Sequence, residues 1–338
     1  MNKNDQNRKV TFKEFSNLFH RAGLITKTLP FSPIIVATGL VLMATYPFLL
    51  ASNQFVVLDE LTIYFMWIIL AEGWNLVGGY ARLLNLGFAA FFVLGSSVAN
   101  FALISGASLP VALLVAGCSG AILGFVLIPT FRLRSDYFAI GTLVIPLILQ
   151  PIIALEFGSN YILPSGVTTS PLIRYYAGVI MTTAAIFGIF LLMRSRVGLA
   201  LRAIGNDEQA SSSLGVNIVV YKTIAVVVSG FIASVAGAYY LFLFGSVSSS
   251  SFEDLTLSLY PIFMVIIGGI GTFEGPIIGA LIFSGIYYTG NTLFPGSTFD
   301  VPLFALIIMA VAVLLPLGIA PTLKKLFSKV GWQNPSRS

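Results

Sequence analysis

Long apolar stretches, separated by short polar segments, follow one another along most of the chain. A helix that crosses a bilayer needs about 20 consecutive, mostly apolar residues. Ten stretches approach or exceed this length, and they cover residues 33–50, 61–79, 85–104, 109–130, 137–155, 175–193, 222–244, 257–271, 276–292 and 302–320. The pattern therefore predicts an all-α, polytopic membrane protein with about ten transmembrane helices.

The composition and the distribution of charge agree with this pattern. Of the 338 residues, 57% are hydrophobic and only 9% are charged, whereas soluble domains carry about 25% charged residues. If the N-terminus lies in the cytoplasm and the ten stretches alternate, all 18 lysine and arginine residues except Arg174 fall on the cytoplasmic side. Basic loops favour that side of a membrane. We therefore predict a multi-pass protein of the plasma (inner) membrane with both termini in the cytoplasm.

This topology divides the chain into three regions. They are a cytoplasmic N-terminal segment, 1–31, a transmembrane domain, 32–320, and a cytoplasmic tail, 321–338. Within residues 9–22, phenylalanines recur at helical spacing between basic residues. This pattern favours a basic amphipathic helix on the cytoplasmic leaflet, and a disordered basic tail is the alternative.

Few side chains are available for chemistry inside the membrane. The chain has one cysteine, Cys118, and one histidine, His20. These counts exclude a disulfide framework, an intramembrane Cys/His metal cluster, and catalysis by a Ser–His or Cys–His pair there. No lysine follows a glycine, so a phosphate-binding loop of the Walker A type is absent. The sequence therefore predicts no enzyme, no cofactor or metal in this chain, and no nucleic-acid partner.

Small residues and one short stretch indicate how the helices pack. The eighth stretch contains Pro261 and ends in GGIG, 268–271, which is typical of a half-helix rather than a full crossing. Small residues at helical spacing favour a close approach of neighbouring helices. They are Gly120 with Gly124, Gly275 with Gly279, and, in the seventh stretch, Gly230, Ser234, Gly237 and Ala238.

A compact polar segment, LRAIGNDEQASSSLGVN (201–217), stands out from its apolar surroundings. Asn206 fits a helix N-cap, and Gln209, three residues later, gives a pattern like a capping box. Gly215 fits the position just after a helix end. The spacing predicts a two-turn helix over residues 207–214.

So short a helix is marginally stable alone in water. Ala210 and Leu214, four residues apart, give it a narrow apolar stripe between small polar serines. This surface suits the groove of a partner protein. A solvated loop with one helical turn is the alternative.

Four stretches together resemble one known family. They are NLVGGYARLLNLG (75–87), RLRSDYFAIGTL (132–143), RSRVGLALRAIGNDE (194–208), which continues through Ala210 to LGVN (214–217), and GGIGTFEGPIIG (268–279). As a set they are similar to the permease subunits of branched-chain amino acid ABC importers, in particular the M-type of the two paralogous permeases. The matches run from about residue 70 to 290.

The resemblance implies a function for the polar segment. In that family it is the coupling helix, within a coupling loop that corresponds to residues 194–221, and it docks on the ATP-binding subunit. The docking residues carried over onto this chain are Arg202, Asn206, Asp207, Glu208, Ala210, Leu214 and Gly215. The implied partners are a sister permease, two ATP-binding subunits that hold ATP and Mg, and an external substrate-binding protein.

The resemblance also implies a fold and a mechanism. The fold is the importer permease architecture of inverted repeats, and stretches 2–5 and 7–10 begin on opposite sides of the membrane, as that architecture requires. ATP closes the ATPase dimer, the coupling helices move together, and the helix bundles rock to open the pathway to alternate sides. Glycines that fit helix breaks or hinges in this motion are Gly78, Gly79, Gly268 and Gly269.

The chain departs from the family pattern at several positions. Arg82 stands where the family has glycine, Asn85 where it usually has serine, and Ser135-Asp136 where a glycine is expected. Residues 161–168 replace a glycine-rich external loop of the family. Glu72 lies in the middle of a predicted span, and carboxylates there are costly and mark functional sites by default.

Polar residues inside the predicted spans are candidates for the translocation path. They are Glu72, Asn75, Asn85, Asn100 and Gln150. Glu72 in the path favours a cationic or polar solute; the alternative is that it snorkels or pairs within the complex. Buried amides often tie helices together instead of touching solute.

Several functions remain open at this point. An ABC importer permease for branched-chain or other small neutral amino acids is the first, with urea, amides or sugars as alternative cargo. An ion-coupled secondary transporter with Glu72 as its proton site is the second. A membrane enzyme is disfavoured, because the spans lack histidine and a pair of aspartates.

Overall fold

The computed structural model describes residues 55–132, 135–157, 160–163, 170–252, 255–293, 306, 315 and 318–323. These residues belong to one compact unit, Gln54–Ser338. The predicted amphipathic helix, the first apolar stretch and most of the tenth stretch lie outside the described residues. The predicted three-region division of the chain stays a prediction.

Ten α-helices follow one another in the described part of the chain. They are α1 (Phe55–Trp74), α2 (Phe88–Ile104), α3 (Leu109–Val126), α4 (Ser135–Phe157), α5 (Pro171–Arg194), α6 (Arg196–Asn206), α7 (Glu208–Ser213), α8 (Ile218–Phe244), α9 (Leu255–Gly268) and α10 (Gly275–Leu293). A π-helix, Asn75–Tyr80, continues α1, and short 3-10 helices cover Ile128–Arg132 and Ser249–Phe252. The protein is a polytopic, helical membrane protein.

Five helices in the described residues are long and apolar enough to cross a membrane. They are Leu58–Tyr80, Leu109–Val126, Tyr137–Glu156, Pro171–Arg194 and Ile218–Phe244. Each corresponds to a predicted stretch, so these five predictions are confirmed. The helices Phe88–Ile104 and Gly275–Thr289 are apolar but shorter.

Helix α9 agrees with the predicted half-helix. It has 14 residues, contains Pro261 and ends at Gly268. At 1.5 Å per residue it spans about 21 Å, less than the roughly 30 Å of hydrocarbon in a bilayer. After Gly269, whose φ is +130°, the chain turns through residues 270–274 and enters α10, which packs back against α9.

Helix α8 occupies the centre of the described unit, where it packs against α1, α2 and α3. The small residues predicted for this helix allow the approach. A Cβ atom on Gly237 would lie 1.8 Å from the carbonyl oxygen of Phe92, and one on Gly120 would lie 2.2 Å from that of Gly230. The Ser234 hydroxyl also donates to the Phe91 carbonyl oxygen at 2.6 Å. Only small side chains fit at these crossings.

A small two-stranded sheet accompanies the helices. Strands β1 (Asn160–Ile162) and β2 (Ser246–Ser248) pair in antiparallel fashion, with Tyr161 opposite Val247. The sequence pattern predicted no strand. Three residues per strand are too few to give an alternating hydrophobic pattern.

An ion pair lies near the start of α5. Arg174 was predicted to precede its span, but α5 begins at Pro171 with Ser170 as N-cap and includes it. The guanidinium group lies 3.1 Å from the Asp59 carboxylate and also donates to the carbonyl oxygen of Leu243 at 3.0 Å. Arg174 therefore links α1, α5 and the end of α8.

Candidate functional site

The polar segment that interrupts the apolar pattern forms two helices, α6 and α7. Asp207 separates them in an extended conformation, with φ −155° and ψ 109°. Its side chain accepts a hydrogen bond from the backbone N–H of Ala210 at 2.9 Å. The predicted N-cap, Asn206, was wrong, because Asn206 continues α6 as its last helical residue. The short polar acceptor that caps α7 is the next residue.

The end of α7 agrees with the sequence prediction. Gly215 has φ +85°, a left-handed conformation that favours glycine. Its N–H donates to the carbonyl oxygen of Ser212 at 2.9 Å, and the N–H of Val216 donates to that of Ser211 at 3.1 Å. This pair of bonds is a Schellman motif, so the six-residue helix is closed at both ends.

The apolar stripe of α7 faces outward. Ala210 and Leu214 are exposed, the latter to 53%, while Ser211 between them is buried. The Ser211 hydroxyl bonds the Asp207 carbonyl oxygen at 2.7 Å. Ala210 and Leu214 therefore form a narrow apolar stripe on the exposed side of α7.

Lys222 of α8 holds α7 in position. Its ammonium group lies 2.7 Å from the Glu208 carboxylate. The lysine side chain is buried to 8% exposure, whereas the Glu208 side chain is 53% exposed. Glu208, predicted to dock a partner, is thus also anchored within its own chain. This ion pair fixes the short helix α7 to α8, the longest of the described helices.

Helix α6 connects this surface with the end of the first described span. A Cβ atom on Gly205 would lie 2.4 Å from the carbonyl oxygen of Tyr80, so α6 touches the end of the π-helix. The Arg202 guanidinium carbon lies 5.9 Å from the centre of the Tyr80 ring. This distance is within the range of a cation–π contact. Helix α6 therefore lies in direct contact with the residues that follow α1.

Arg82 has an unusual backbone conformation beside this contact. Its φ is +54°, which makes it the one non-glycine residue with positive φ in the described ranges. This region favours glycine, the residue that the family pattern has at this position. The Arg82 side chain is exposed. The stem of the Arg82 side chain lies against α6, since its Cγ would be 3.2 Å from a Cβ atom on Gly205. Backbone strain of this kind occurs often at functional positions.

Two carboxyl groups are buried in the interior below this surface. Glu72, near the end of α1, is 0% exposed, and Glu274, just before α10, is 6% exposed. They lie close enough to interact electrostatically. Within the described residues, neither oxygen of Glu72 accepts a hydrogen bond.

Asn75 fastens the turn that carries Glu274. Its side-chain oxygen accepts from the backbone N–H of Gly271 at 2.9 Å, and its side-chain amide donates to the carbonyl oxygen of Thr272 at 2.9 Å. A side chain on Gly79 would collide with Asn75. The π-helix and the turn after α9 are therefore held together beside one predicted helix break, Gly79, while the other, Gly268-Gly269, lies at the start of that turn. A role of these glycines as hinges stays a prediction.

Asn85 stabilises the irregular segment between the π-helix and α2. Its side-chain oxygen accepts from the N–H of Gly87 at 2.9 Å, and its carbonyl oxygen accepts from the Trp74 indole at 2.9 Å. The hydroxyl of Thr142 accepts from the N–H of Leu86 at 3.1 Å. Asn85 is 1% exposed, and its side-chain oxygen closes a local turn, while its side-chain amide nitrogen has no hydrogen-bond partner within the described residues.

The other path candidates are placed separately. Asn100 of α2 is 5% exposed, and Gln150 is half-buried on α4, between Pro146 and Pro151. Glu72 and Asn75 come together around the π-helix, whereas Asn100 and Gln150 lie on other helices. No cluster of three or more histidine, cysteine or acidic residues that would suit a metal occurs in the part of the chain described above.

Two residues of this site were missed in the sequence. Lys222 was assigned only to the cytoplasmic side, and Glu274 was treated only as part of a glycine motif. A signal existed for Glu274, since a carboxylate directly after a predicted half-helix and before an apolar stretch lies at membrane depth. Lys222 had a weaker signal, its position in the first turn of an otherwise apolar helix.

Comparison with known proteins adds to this geometry. The sequence profile of the family described as "Branched-chain amino acid transport system / permease component" matches residues 56–313. The high-affinity branched-chain amino acid transport system permease protein LivM of Salmonella typhimurium is 29% identical over an alignment of 287 residues that covers 72% of this chain. LivM of Escherichia coli K12 gives the same figures. The chain spans 65% of the length of each.

A more distant relative has a similar name. A probable branched-chain amino acid transport permease protein LivM from Methanocaldococcus jannaschii is 26% identical over an alignment of 234 residues, and the alignment covers 61% of this chain and 67% of that protein. No solved structure matches the chain.

Proposed function

Because this chain belongs to the family of branched-chain amino acid transport permease components, we propose that it is a permease subunit of an ATP-driven ABC importer. It forms half of the translocation pathway together with a sister permease. Two ATP-binding subunits supply the energy, and an external binding protein delivers the solute. The proposed cargo is a branched-chain or other small neutral amino acid, by analogy with the names of the LivM relatives.

One observation carries this proposal, the exposed and doubly capped helix α7. Six residues are too few for a helix that is stable by itself. Its two caps and the Lys222–Glu208 ion pair keep it folded, while Leu214 stays exposed. Such a rigid, protruding element suits mechanical contact with another subunit. In the proposed orientation α7 and both termini lie in the cytoplasm.

The mechanism follows from the contacts around α6. Closure of the ATP-binding subunits moves α7, and α7 moves α6, since only Asp207 separates the two helices. Gly205 and Arg202 of α6 press on Tyr80 at the end of the first described span. The turn after α9 follows, because Asn75 bonds it to the same π-helix. The bundle then rocks and exposes the pathway to the other side.

The exposed outer helices fit a role within a larger membrane assembly. Helices α3, α4 and α5 expose large apolar side chains such as Val126, Leu155 and Ile180. We assign these faces to lipid and to the sister permease.

Of the candidate path residues, Gln150 lies on such a face and is our candidate for contact with solute. The Asn75 side chain instead joins the π-helix to the turn after α9, and the Asn85 side chain closes a local turn.

Reconstitution tests the proposal. The full chain is co-expressed with a sister permease and tagged ATP-binding subunits, and uptake of labelled leucine into proteoliposomes is measured with ATP and with ADP. We expect ATP-dependent uptake and copurification of the chain with the tagged subunits. Leu214→Glu should abolish both, whereas Ile162→Glu, at an even more exposed apolar position on β1, should leave copurification intact. Uptake that proceeds without any ATP-binding subunit contradicts the proposal.

A further inference from the structure

Two exposed arginines lie beside the contact between α6 and the end of the first described span. The guanidinium carbon of Arg202 lies 5.9 Å from the centre of the Tyr80 ring. Arg82 follows two residues after Tyr80, and its Cγ atom would lie 3.2 Å from a Cβ atom on Gly205. Gly205 and Arg202 are three residues apart, so they lie on one face of α6. We refer to Arg82 and Arg202, both exposed, as the arginine pair.

No carboxylate of the described residues neutralises the arginine pair. The two ion pairs within these residues are Arg174 with Asp59 and Lys222 with Glu208. Asp207, at the end of α6, accepts a hydrogen bond from the backbone at the start of α7. The two guanidinium groups are therefore available to an anionic partner from outside this part of the chain.

The ends of two membrane-spanning helices give the level of the arginine pair relative to the bilayer. Tyr80 ends a span of 23 residues, and Arg194 ends one of 24. At about 1.5 Å per residue, each is at least as long as the roughly 30 Å hydrocarbon core of a bilayer. Helix α6 touches Tyr80 and begins two residues after Arg194, so the two ends lie at the same membrane surface. Lipid headgroups occupy this level.

The surroundings of the arginine pair suit lipid better than an acidic protein surface. Leu84, two residues after Arg82, is 42% exposed. An exposed apolar side chain next to a basic one is typical of segments that lie at the boundary between acyl chains and headgroups. The exposed stripe of α7, which we assign to docking of an ATP-binding subunit, carries no basic residue. The arginine pair and this stripe therefore differ in chemistry.

We propose that the arginine pair binds the phosphate group of an anionic phospholipid at the membrane surface where α6 lies. Guanidinium groups bind phosphate oxygens through charge-assisted hydrogen bonds, and two of them can hold one phosphate. The Tyr80 ring restricts Arg202, and the contact with Gly205 restricts the stem of Arg82. Both side chains thus lose less freedom when the lipid binds.

The site is a feature of this chain rather than of its family. The family pattern has glycine at the position of Arg82, and this chain keeps an arginine there at a φ of +54°. A glycine would avoid the backbone strain but would supply no guanidinium group. The lipid is neither the transported solute nor a subunit, so the site goes beyond the proposed function.

A bound lipid has a structural consequence. Arg202 belongs to α6, whereas Arg82 belongs to the segment that follows the π-helix. A phosphate held by both groups therefore bridges the two elements, and it should raise the melting temperature of the chain. A neutral lipid lacks the net charge and should not do so.

Native mass spectrometry of the full chain in a neutral detergent tests the site. Phosphatidylglycerol or phosphatidylcholine is titrated onto the chain, and we expect tighter retention of phosphatidylglycerol. Arg82→Gln and Arg202→Gln should each weaken that retention about fivefold. Glutamine at position 82 keeps a non-glycine backbone, so the variant removes the charge without relieving the positive φ.

Control variants separate the site from net charge and from folding. Arg174→Gln removes the same charge at the other end of α5 and should leave retention of phosphatidylglycerol unchanged. Arg82→Lys and Arg202→Lys keep the charge and should retain most of the binding, also where a glutamine variant folds poorly. The melting temperature of each variant without lipid shows that it is folded.

Four results would overturn the proposal. The first is equal retention of phosphatidylglycerol by the wild type and both glutamine variants, and the second is an equal loss in Arg174→Gln. In the third, inorganic phosphate raises the melting temperature as much as phosphatidylglycerol does, so that the ligand is a free anion. In the fourth, the glutamine variants retain the lipid but no longer copurify with an ATP-binding subunit, so that the arginine pair docks that subunit instead.

The lipid measurements are independent of the transport assay, because they use the chain alone. A chain that fails to import any solute with ATP-binding subunits can still retain phosphatidylglycerol through the arginine pair. Conversely, a functional importer that retains the two lipids equally refutes only the lipid site.

Discussion

The ammonium group of Lys222 and the carboxylate of Glu208 lie 2.7 Å apart, and this contact fixes a six-residue surface helix to the longest helix of the bundle. The lysine is almost fully buried and the glutamate is half exposed. Hydrogen bonds to charged groups contribute about 1.5–3 kcal/mol when one partner is desolvated. Solvent screening of the half-exposed Glu208 carboxylate places this pair at or below the lower end of that range.

Replacing Lys222 with methionine should make α7 less rigid without changing the residues that α7 exposes to a partner. Methionine keeps the volume and removes the charge, so Glu208 loses its anchor while the exposed residues stay unchanged. A loss of about 1.4 kcal/mol corresponds to roughly tenfold weaker binding of an ATP-binding subunit. Titration of the tagged subunit onto the detergent-solubilised chain measures this, and Lys222→Arg should retain most of the affinity.

The other ion pair of the described residues provides the control. Arg174→Met removes the partner of Asp59, 3.1 Å away, on a different part of the bundle. This variant should lower the melting temperature about as much as Lys222→Met does. It should leave the affinity for the ATP-binding subunit unchanged. Equal loss of affinity in the two methionine variants contradicts the assignment of α7 as the docking element.

Gly215→Ala should weaken docking through the backbone of the Schellman motif. A side chain at φ +85° costs about 1–2 kcal/mol, although open space surrounds the position. Gly106 is a matched position, since it follows the end of α2 with φ +84°, and a Cβ atom added there would have nothing within 4 Å. Gly106→Ala should cost the same stability and leave ATP-driven uptake normal. Normal uptake by Gly215→Ala as well would show that the end of α7 is not required.

Sequence reasoning succeeded where apolar length or local chemistry decides the structure. The five long spans, the short α9 and the role of Gly215 all follow from patterns within one segment. The same reasoning misplaced the N-cap, because Asn206 and Asp207 are both good caps and the choice depends on where α6 ends. Element boundaries are set by such competition between neighbours.

The pairs that define the site could not be read from the sequence. Asn75 meets the turn at Gly271 and Thr272 only because distant helices pack together, and Lys222 meets Glu208 only because the chain turns back after α7. A single sequence gives no information on contacts between distant segments. The positive φ of Arg82 had one sequence signal, the glycine that the family pattern has at that position.

Arg82→Gly should raise the stability of the protein, because it relieves a left-handed backbone conformation. The expected gain is about 1 kcal/mol, reduced by the greater freedom of glycine in the unfolded chain. Arg82→Ala keeps the strained φ of +54° and removes the guanidinium group, so it should give no such gain. Thermal unfolding of the two variants measures the difference. If both variants lose uptake while Arg82→Gly is more stable, the exposed guanidinium group is needed for function.

Gly237→Ala should disrupt the crossing of α2 and α8 at the centre of the bundle. The added methyl group would lie 1.8 Å from the carbonyl oxygen of Phe92, and backbone at that distance must move. Overpacking in a dense interior costs about 1–3 kcal/mol or more, so we expect a clear fall in melting temperature and little monodisperse protein on gel filtration. Gly188→Ala makes the same chemical change in α5, where nothing lies within 4 Å. Since alanine favours helix over glycine by up to about 1 kcal/mol, that variant should be as stable as the wild type or more so. Equal behaviour of the two variants would mean that α2 and α8 do not approach each other as closely as this structure has them.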